Sequence, residues 1–137
     1  MKHIRDLLIA MAVVGLLVSI ALPAFKDQAV KSRRADARTT LVEVMQQQEA
    51  FFIENNSYTL DLRNLDYSAE NWNDSKDGAY QVRAMASNGS CGLPECIRLY
   101  VRPKSSDSQT GDFEYQLWST GKKQYKVDGS WKDGWGA

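Results

Sequence analysis

An uncharged apolar run near the N-terminus constrains this chain more than any other feature. Leu7 to Phe25 are nineteen residues, LLIAMAVVGLLVSIALPAF, in which Ser19 carries the single hydroxyl. As a helix they reach roughly 28 Å, close to the ~30 Å hydrocarbon core of a bilayer. A chain of 137 residues cannot easily bury a helix that is apolar on every side. The run therefore predicts a helix surrounded by lipid or by other copies of itself.

Three interpretations of this run remain open on composition alone. It is a cleaved secretory signal, a plain transmembrane anchor, or a helix that spans the membrane first and later packs among copies. Lys2 and Arg5 precede the run, which predicts a cytoplasmic N-terminus and an exported remainder.

The next segment continues the helix with a different character. Residues 26–38 lack glycine and proline and carry five basic and two acidic side chains. We expect the basic run to be a solvated face, with a DNA or lipid-headgroup patch as the alternative. An apolar stripe, interrupted only by Gln48, then recurs at steps of three and four: Ala37, Leu41, Val44, Met45, Gln48, Phe51 and Phe52. This predicts one helix from about Ile4 to Glu54, apolar first and amphipathic second.

The end of the apolar run resembles the N-terminal helix of type IV pilins. The residues that carry this likeness are VVGLLVSIALPAF, with a glycine inside the run and Ala-Leu-Pro-Ala-Phe at its end. Aligned on Pro23, the resemblance places Asp6 where the family carries an assembly glutamate. It also implies assembly roles for Gly15 and Pro23, whose segment resembles the part that loses helical order in some assembled pilins.

One part of the resemblance departs from the family. Prepilins usually carry glycine at a cleavage site, followed by a methylated mature N-terminus. Here Met1-Lys2-His3-Ile4-Arg5 precedes Asp6 and contains no glycine. This departure favours a minor pilin with an atypical N-terminus over a major one.

The remainder of the chain predicts a small antiparallel sheet. After a polar, turn-rich segment at 55–78, side chains alternate in character over 79–86, 96–102, 113–118 and 124–127. Ser119 to Lys122 is a candidate hairpin turn. We therefore predict an α+β pilin fold in which about four strands pack on the stripe from Leu41 to Phe52. The expected regions are 1–25 (apolar transmembrane or filament-core helix), 26–54 (amphipathic helix) and 55–137 (head).

Two cysteines, Cys91 and Cys96, lie close together in SCGLPEC. A structural zinc site needs four ligands, and redox motifs separate their cysteines by two residues rather than four. Because the head is expected to be exported, a disulfide closing a short loop is favoured. No metal or other cofactor is expected.

Charge and motifs bear on what the head does. The net charge of the chain is zero, but residues 39–137 carry ten basic and fourteen acidic side chains, so any DNA site must be a local patch. Lys122, Lys123 and Lys126 are candidates for such a patch, with a solvated hairpin as the alternative. No nucleophile–base set or phosphate loop is visible, which argues against an enzyme and a small-molecule substrate.

The sequence thus predicts a structural subunit of a type IV pilus. Its expected partners are other pilin subunits, the inner membrane before assembly and the assembly machinery, with a host surface or DNA as ligand of the head. The expected location is the bacterial inner membrane and then the extracellular pilus. The alternatives are a pseudopilin of a type II secretion system and a monomeric membrane-anchored binding protein.

Overall fold

The computed structural model describes residues 1–86, 89–105 and 112–136, apart from the side chain of Pro23. One helix, α1 (Lys2–Asn55), precedes a 3₁₀ turn (Leu62–Leu65) and six strands. The strands are β1 (Asn73–Asp74), β2 (Tyr80–Met85), β3 (Arg98–Pro103), β4 (Glu114–Trp118), β5 (Lys123–Val127) and β6 (Ser130–Asp133). The chain divides into two compact units, Met1–Ser32 and Arg33–Ala137.

The first unit is helical from Lys2 onward, and its apolar side chains from Ile4 to Leu22 are exposed. Leu7, Met11 and Ile20, for example, keep 61%, 65% and 72% of their surface accessible. The helix contains a stretch that is long and apolar enough to cross a membrane, with a mean hydropathy of 2.6. The Ser19 hydroxyl donates a hydrogen bond to the Leu16 carbonyl at 2.7 Å, which satisfies the polar group without a partner outside the helix.

In the second unit the sheet packs on the amphipathic part of α1. Ala37, Leu41 and Val44 have no exposed surface and join one core with the inward side chains of the strands. Met45, Phe51 and Phe52 pack against that core while remaining partly exposed. The predicted stripe and its contact with the sheet are confirmed. The helix ends where it was expected, because Asn56 adopts a left-handed φ of 55° and its N–H bonds to the Phe52 carbonyl.

The sheet is an antiparallel meander in which sequence order equals spatial order, β1 to β6. It has six strands rather than the expected four. The two additional strands are the edges, which are short and carry little apolar alternation. β1 is two residues long, and all four residues of β6 are exposed. Pairing with a neighbouring strand, rather than burial of an apolar face, forms these two edges.

A buried amide replaces an apolar residue in the middle of the helical stripe. Gln48 has no exposed surface and bonds to the backbone of Thr59 twice. Its Nε2 donates to the Thr59 carbonyl at 2.7 Å, and its Oε1 accepts from the Thr59 N–H at 3.0 Å. The side-chain amide thus bonds to the backbone of Thr59 as a peptide group of a neighbouring strand would. It holds the segment that follows α1 against the helix.

Candidate functional site

The surface of the sheet that faces away from the core carries an unusual set of side chains, and we call it the outer face. Along β2 and β3 the outward positions alternate with buried ones, as the pleat of a strand requires, whereas on β4 the outward Gln116 is buried as well. The outer face carries four cations, Arg83, Arg98, Arg102 and Lys126, and four aromatic rings, Trp72, Tyr100, Trp118 and Trp131. Cations and rings therefore alternate across one surface.

Trp72 lies at the β1 edge of this face, against two guanidinium groups. The Cζ of Arg102 is 3.8 Å from the centre of the indole ring, and that of Arg83 is 5.1 Å away. The sheet register explains the contact with Arg83, because Asn73 pairs with Val82 and the preceding residue therefore adjoins position 83. Each such cation–π contact stabilises by about 0.5–1 kcal/mol at an exposed site. These contacts hold both cations beside the Trp72 ring.

Tyr100 occupies the centre of the outer face, between the rings of Trp72 and Trp131. The ring centroids lie 5.8 and 6.3 Å from that of Tyr100, and both pairs are edge-to-face. The phenol donates a hydrogen bond to Oε2 of Glu114 at 2.7 Å. Burial, and next this bond to a carboxylate, raise the pKa of Tyr100, so the hydroxyl remains a donor at neutral pH.

Arg98 extends the cationic surface toward the turn between β4 and β5. Its Nη1 donates to Oε1 of Gln116 at 3.1 Å, and its Cζ lies 5.9 Å from the centre of the Trp118 ring. Burial lowers the pKa of Arg98, and the charge of Arg83 lowers it further. The Nε atoms of both arginines are buried without a hydrogen-bond partner in the described part of the chain.

Carboxylates neutralise only part of this face. Over the described residues the ion pairs do not include Arg83, Arg98 or Arg102. Glu114 lies 3.7 Å from Lys126, whereas Asp74 on the edge strand pairs with Lys104 at 2.9 Å. Among the described residues, these three guanidinium groups therefore have no carboxylate partner.

Two clefts open beside the Glu114–Lys126 pair. One, of about 470 Å³, is lined among others by Arg102, Glu114, Lys126 and Gly129. The other, of about 270 Å³, is lined by Met85, Arg98, Tyr100, Glu114, Gln116, Lys126 and Trp131. Because Glu114 and Lys126 line both clefts, their ion pair lies at the junction between them.

The three lysines predicted as a nucleic-acid patch separate in the structure. Lys126 lies on the outer face, 5.8 Å from the centre of the Trp131 ring, and Lys122 in the preceding turn lies 5.0 Å from that of Trp118. Lys123 faces the opposite side of the sheet, opposite Leu117 and 5.5 Å from the Trp135 ring. The role of these lysines stays a prediction, with Lys123 outside the surface that the others share.

The other predicted site residues lie elsewhere. Asp6 is exposed on α1, and a Cβ added at Gly15 would meet no atom within 4 Å, so packing within the chain does not require glycine there. The backbone at Pro23 is helical, and its side chain lies outside the described part. The assembly roles of these three residues stay predictions.

Cys91 and Cys96 form the expected disulfide. Just after it, the Ile97 N–H donates to the Ser119 hydroxyl at 3.1 Å and the Ser119 N–H donates to the Ile97 carbonyl at 2.9 Å. The bridged loop is thereby fixed to the end of β4 at the point where β3 begins. Among the described residues, histidines, cysteines and carboxylates form no group that could hold a metal ion.

The arginines of the outer face were missed by sequence reasoning, although a signal for them exists. In the predicted strand 96–102 the positions between the apolar residues are Arg98, Tyr100 and Arg102. These alternate positions point to the face of the strand opposite the core, so the pattern places Arg98 and Arg102 on one surface with Tyr100. Trp72 carries no such signal, because it lies in the polar, turn-rich segment 55–78.

A long helix, apolar and then amphipathic, packed on an antiparallel meander defines the pilin class of fold. Residues 23–110 match the family described as "Type IV minor pilin ComP, DNA uptake sequence receptor". The chain therefore belongs to this family of type IV pilins, which are structural proteins. It is also 29% identical over 96 residues to "Type IV major pilin protein PilA" of Myxococcus xanthus (strain DK1622). That match covers 70% of this chain and 41% of the relative, so the chain spans well under two thirds of that protein's length. No solved structure matches the chain.

Proposed function

We propose that this type IV pilin is a filament subunit whose head binds DNA through the outer face, in the role of a minor pilin for DNA uptake. The description of the matching family names a DNA uptake sequence receptor, and this description supports the proposal. The observation that carries it is the set of three arginines, without carboxylate partners among the described residues, held beside aromatic rings on one surface: Arg83, Arg98 and Arg102.

The filament part of the proposal rests on the exposed apolar surface of the first unit. Burying apolar surface stabilises a protein by roughly 25 cal/mol per Å². Nineteen consecutive uncharged residues left in water would lose this stabilisation. Lipid covers this surface before assembly, and copies of the same helix cover it in a pilus. The chain is therefore anchored in the inner membrane with its head exported, and then enters the filament.

The DNA part rests on the chemistry of the outer face. Phosphates are bound by arginine through paired N–H donors, and a protein gains affinity for DNA by releasing condensed counterions. The head as a whole is acidic, with fourteen acidic and ten basic residues from position 39 onward. Long-range attraction to DNA is therefore weak, and the local arginine cluster has to supply the contact.

The relatives favour this proposal over its alternatives. Both matches are to pilins, which supports a pilus subunit over a pseudopilin or a monomeric membrane-anchored protein. The major-pilin relative leaves the major or minor role open to experiment, whereas the family match favours the minor one.

A charge-matched pair of double variants tests the DNA part. The full chain in nonionic detergent is titrated into a fluorescent DNA duplex at several salt concentrations, with anisotropy as the readout. Arg98→Gln with Arg102→Gln removes two cations from the outer face. Lys123→Gln with Lys132→Gln removes two cations from the opposite side of the sheet, because Lys123 adjoins Leu117 and Lys132 pairs with Tyr125.

We expect the arginine variant to bind more weakly, and its salt slope to fall by about 2, one for each lost phosphate contact. The lysine variant should bind like the unmodified chain. Equal losses in both variants, or no loss in either, would overturn the assignment of the outer face.

A further inference from the structure

The carboxylate of Glu114 stands among the groups that would bind a phosphate. It accepts the phenol hydrogen bond of Tyr100 at 2.7 Å and lies 3.7 Å from the Lys126 ammonium. Arg102 lines the same cleft. One hydroxyl donor and one ammonium thus lie beside an anion that belongs to the protein itself, and one guanidinium lines the same cleft.

We propose that Tyr100, Arg102 and Lys126 form a phosphate subsite that Glu114 occupies in the free protein, so that a DNA phosphate must displace this carboxylate to bind. The proposal rests on the proposed DNA binding of the outer face and adds a residue that opposes it. Glu114 acts as an internal competitor and sets how tightly and how reversibly the face holds a polyanion.

The position of Glu114 supports this role over a purely structural one. Glu114 is the acidic residue that lines both clefts of the outer face. The other acidic lining residues, Asp112 and Asp128, line only the larger cleft. Asp112 is engaged by Arg34 of α1. Displacing Glu114 from Lys126 would therefore free a cation at the junction of the two clefts, where a nucleic-acid backbone passing from one cleft to the other would lie.

The charge balance gives the size of the expected effect. In the free protein Lys126 is partly neutralised by Glu114, so it contributes less to counterion release than Arg83 or Arg98, which have no such partner in the described chain. Removing the carboxylate charge should restore one full phosphate contact, which changes the slope of log K against log salt by about 0.9.

Glu114→Gln is the central variant, because glutamine is isosteric and still accepts the Tyr100 hydrogen bond. Glu95→Gln is the matched control, since Glu95 is an exposed residue of the disulfide loop and the change in charge is the same. The full chain in nonionic detergent is titrated into the same DNA duplex across a range of salt concentrations. Lys126→Gln is added to both backgrounds to complete a double-mutant cycle.

We expect Glu114→Gln to bind DNA about threefold to tenfold more tightly at low salt, with a salt slope steeper by about 1, whereas Glu95→Gln changes little. Lys126→Gln should cost more affinity in the Glu114→Gln background than in the Glu95→Gln background. A purely structural Glu114 would show neither the steeper slope nor this coupling.

The outcomes separate this inference from the proposed function. If the unmodified chain binds DNA and Glu114→Gln binds no more tightly, the competitor role is overturned while DNA binding stands. If DNA binding appears in Glu114→Gln although the unmodified chain shows none, the competitor role is supported. If no variant binds DNA, both proposals fail.

Discussion

Arg34 on the helix forms a bidentate ion pair with the carboxylate of Asp112, which lies 78 residues later, just before β4. Its Nε donates to Oδ2 at 2.7 Å, and its Nη2 donates to the other oxygen, Oδ1. The same guanidinium lies 4.1 Å from the centre of the Phe113 ring. The bidentate pair, only 20% and 13% exposed, joins the helix to the strand that forms the middle of the sheet.

Asp112→Asn should therefore destabilise the head. The substitution leaves a partly buried guanidinium without its charged acceptor and weakens the bond that the Tyr80 hydroxyl donates to Asp112. We expect a loss of about 1–3 kcal/mol in the free energy of unfolding, measured by thermal denaturation of the full chain in detergent. Asp128→Asn is the control, because Asp128 is exposed and its left-handed φ of 51° suits asparagine. Equal melting temperatures for the two variants would contradict the role of the ion pair.

The ion pair also corrects an expectation at Arg34, whereas Lys31 in the same run is exposed. The basic run that contains Arg34 was expected to be a solvated face, with a DNA or lipid patch as the alternative. Instead Arg34 bonds within the head, and Arg38 lies 5.8 Å from the centre of the Tyr115 ring. A count of charges along a helix cannot reveal this, because the partner of Arg34 comes from a distant part of the chain.

Gln48→Leu should cost about 2–6 kcal/mol of stability, although it makes the helical stripe more apolar. The change leaves both the N–H and the carbonyl of Thr59 buried without partners, and each unsatisfied group costs about 1–3 kcal/mol. Chemical denaturation followed by circular dichroism measures the loss. Gln46→Leu, at an exposed position of the same helix, is the matched control. A Gln48→Leu variant as stable as this control would show that the Thr59 backbone finds other partners.

Periodicity predicted the helix, its apolar stripe and the four inner strands, because burial selects side chains at regular spacing. It did not predict Gln48 as a bridge, since an amide in an apolar stripe looks like an interruption until Thr59 folds back beside it. The edge strands were not predicted for a related reason: pairing forms them, and all their side chains except that of Asn73 are exposed. The sequence nevertheless carries a local signal for β6, because the pair Asp128-Gly129 favours a type I′ hairpin turn. In the structure both residues take the positive φ of such a turn.

The candidate site was likewise predictable in its strands but not in the contacts between them. Alternation located the strands that carry Arg83, Arg98 and Arg102, but the contacts that give them a shared surface depend on register. Trp72 reaches Arg102 only because β1 pairs with β2 and β2 pairs with β3. A strand of two residues leaves too little pattern for the sequence to set that register.

Alkaline pH should destabilise the head through its buried phenols. Burial raises the pKa of Tyr58, Tyr67, Tyr100 and Tyr115 above that of an unfolded chain, which is about 10. A raised folded-state pKa contributes stability that is present below about pH 10 and is lost as the pH rises toward the folded-state value. We expect the free energy of unfolding to fall above about pH 10, with phenolate absorbance appearing as the chain unfolds. Tyr100→Phe should make this fall less steep; an unchanged slope would show that Tyr100 ionises as easily in the folded head.

Asp6→Ala should reduce incorporation of the chain into filaments. The resemblance to type IV pilins places Asp6 at the family's assembly acid, and the residue lies exposed at the start of an apolar helix. A carboxylate in a filament core is costly unless a cation pairs with it, so the residue favours assembly only if a neighbouring subunit supplies that cation. Incorporation is measured by quantifying the chain in sheared pili and in the membrane fraction. Asp27→Ala is the control because it removes the same charge from an exposed position of the same helix. We expect Asp6→Ala to accumulate in the membrane and Asp27→Ala to reach the pili, and equal amounts of both variants in pili would remove Asp6 from the assembly contact.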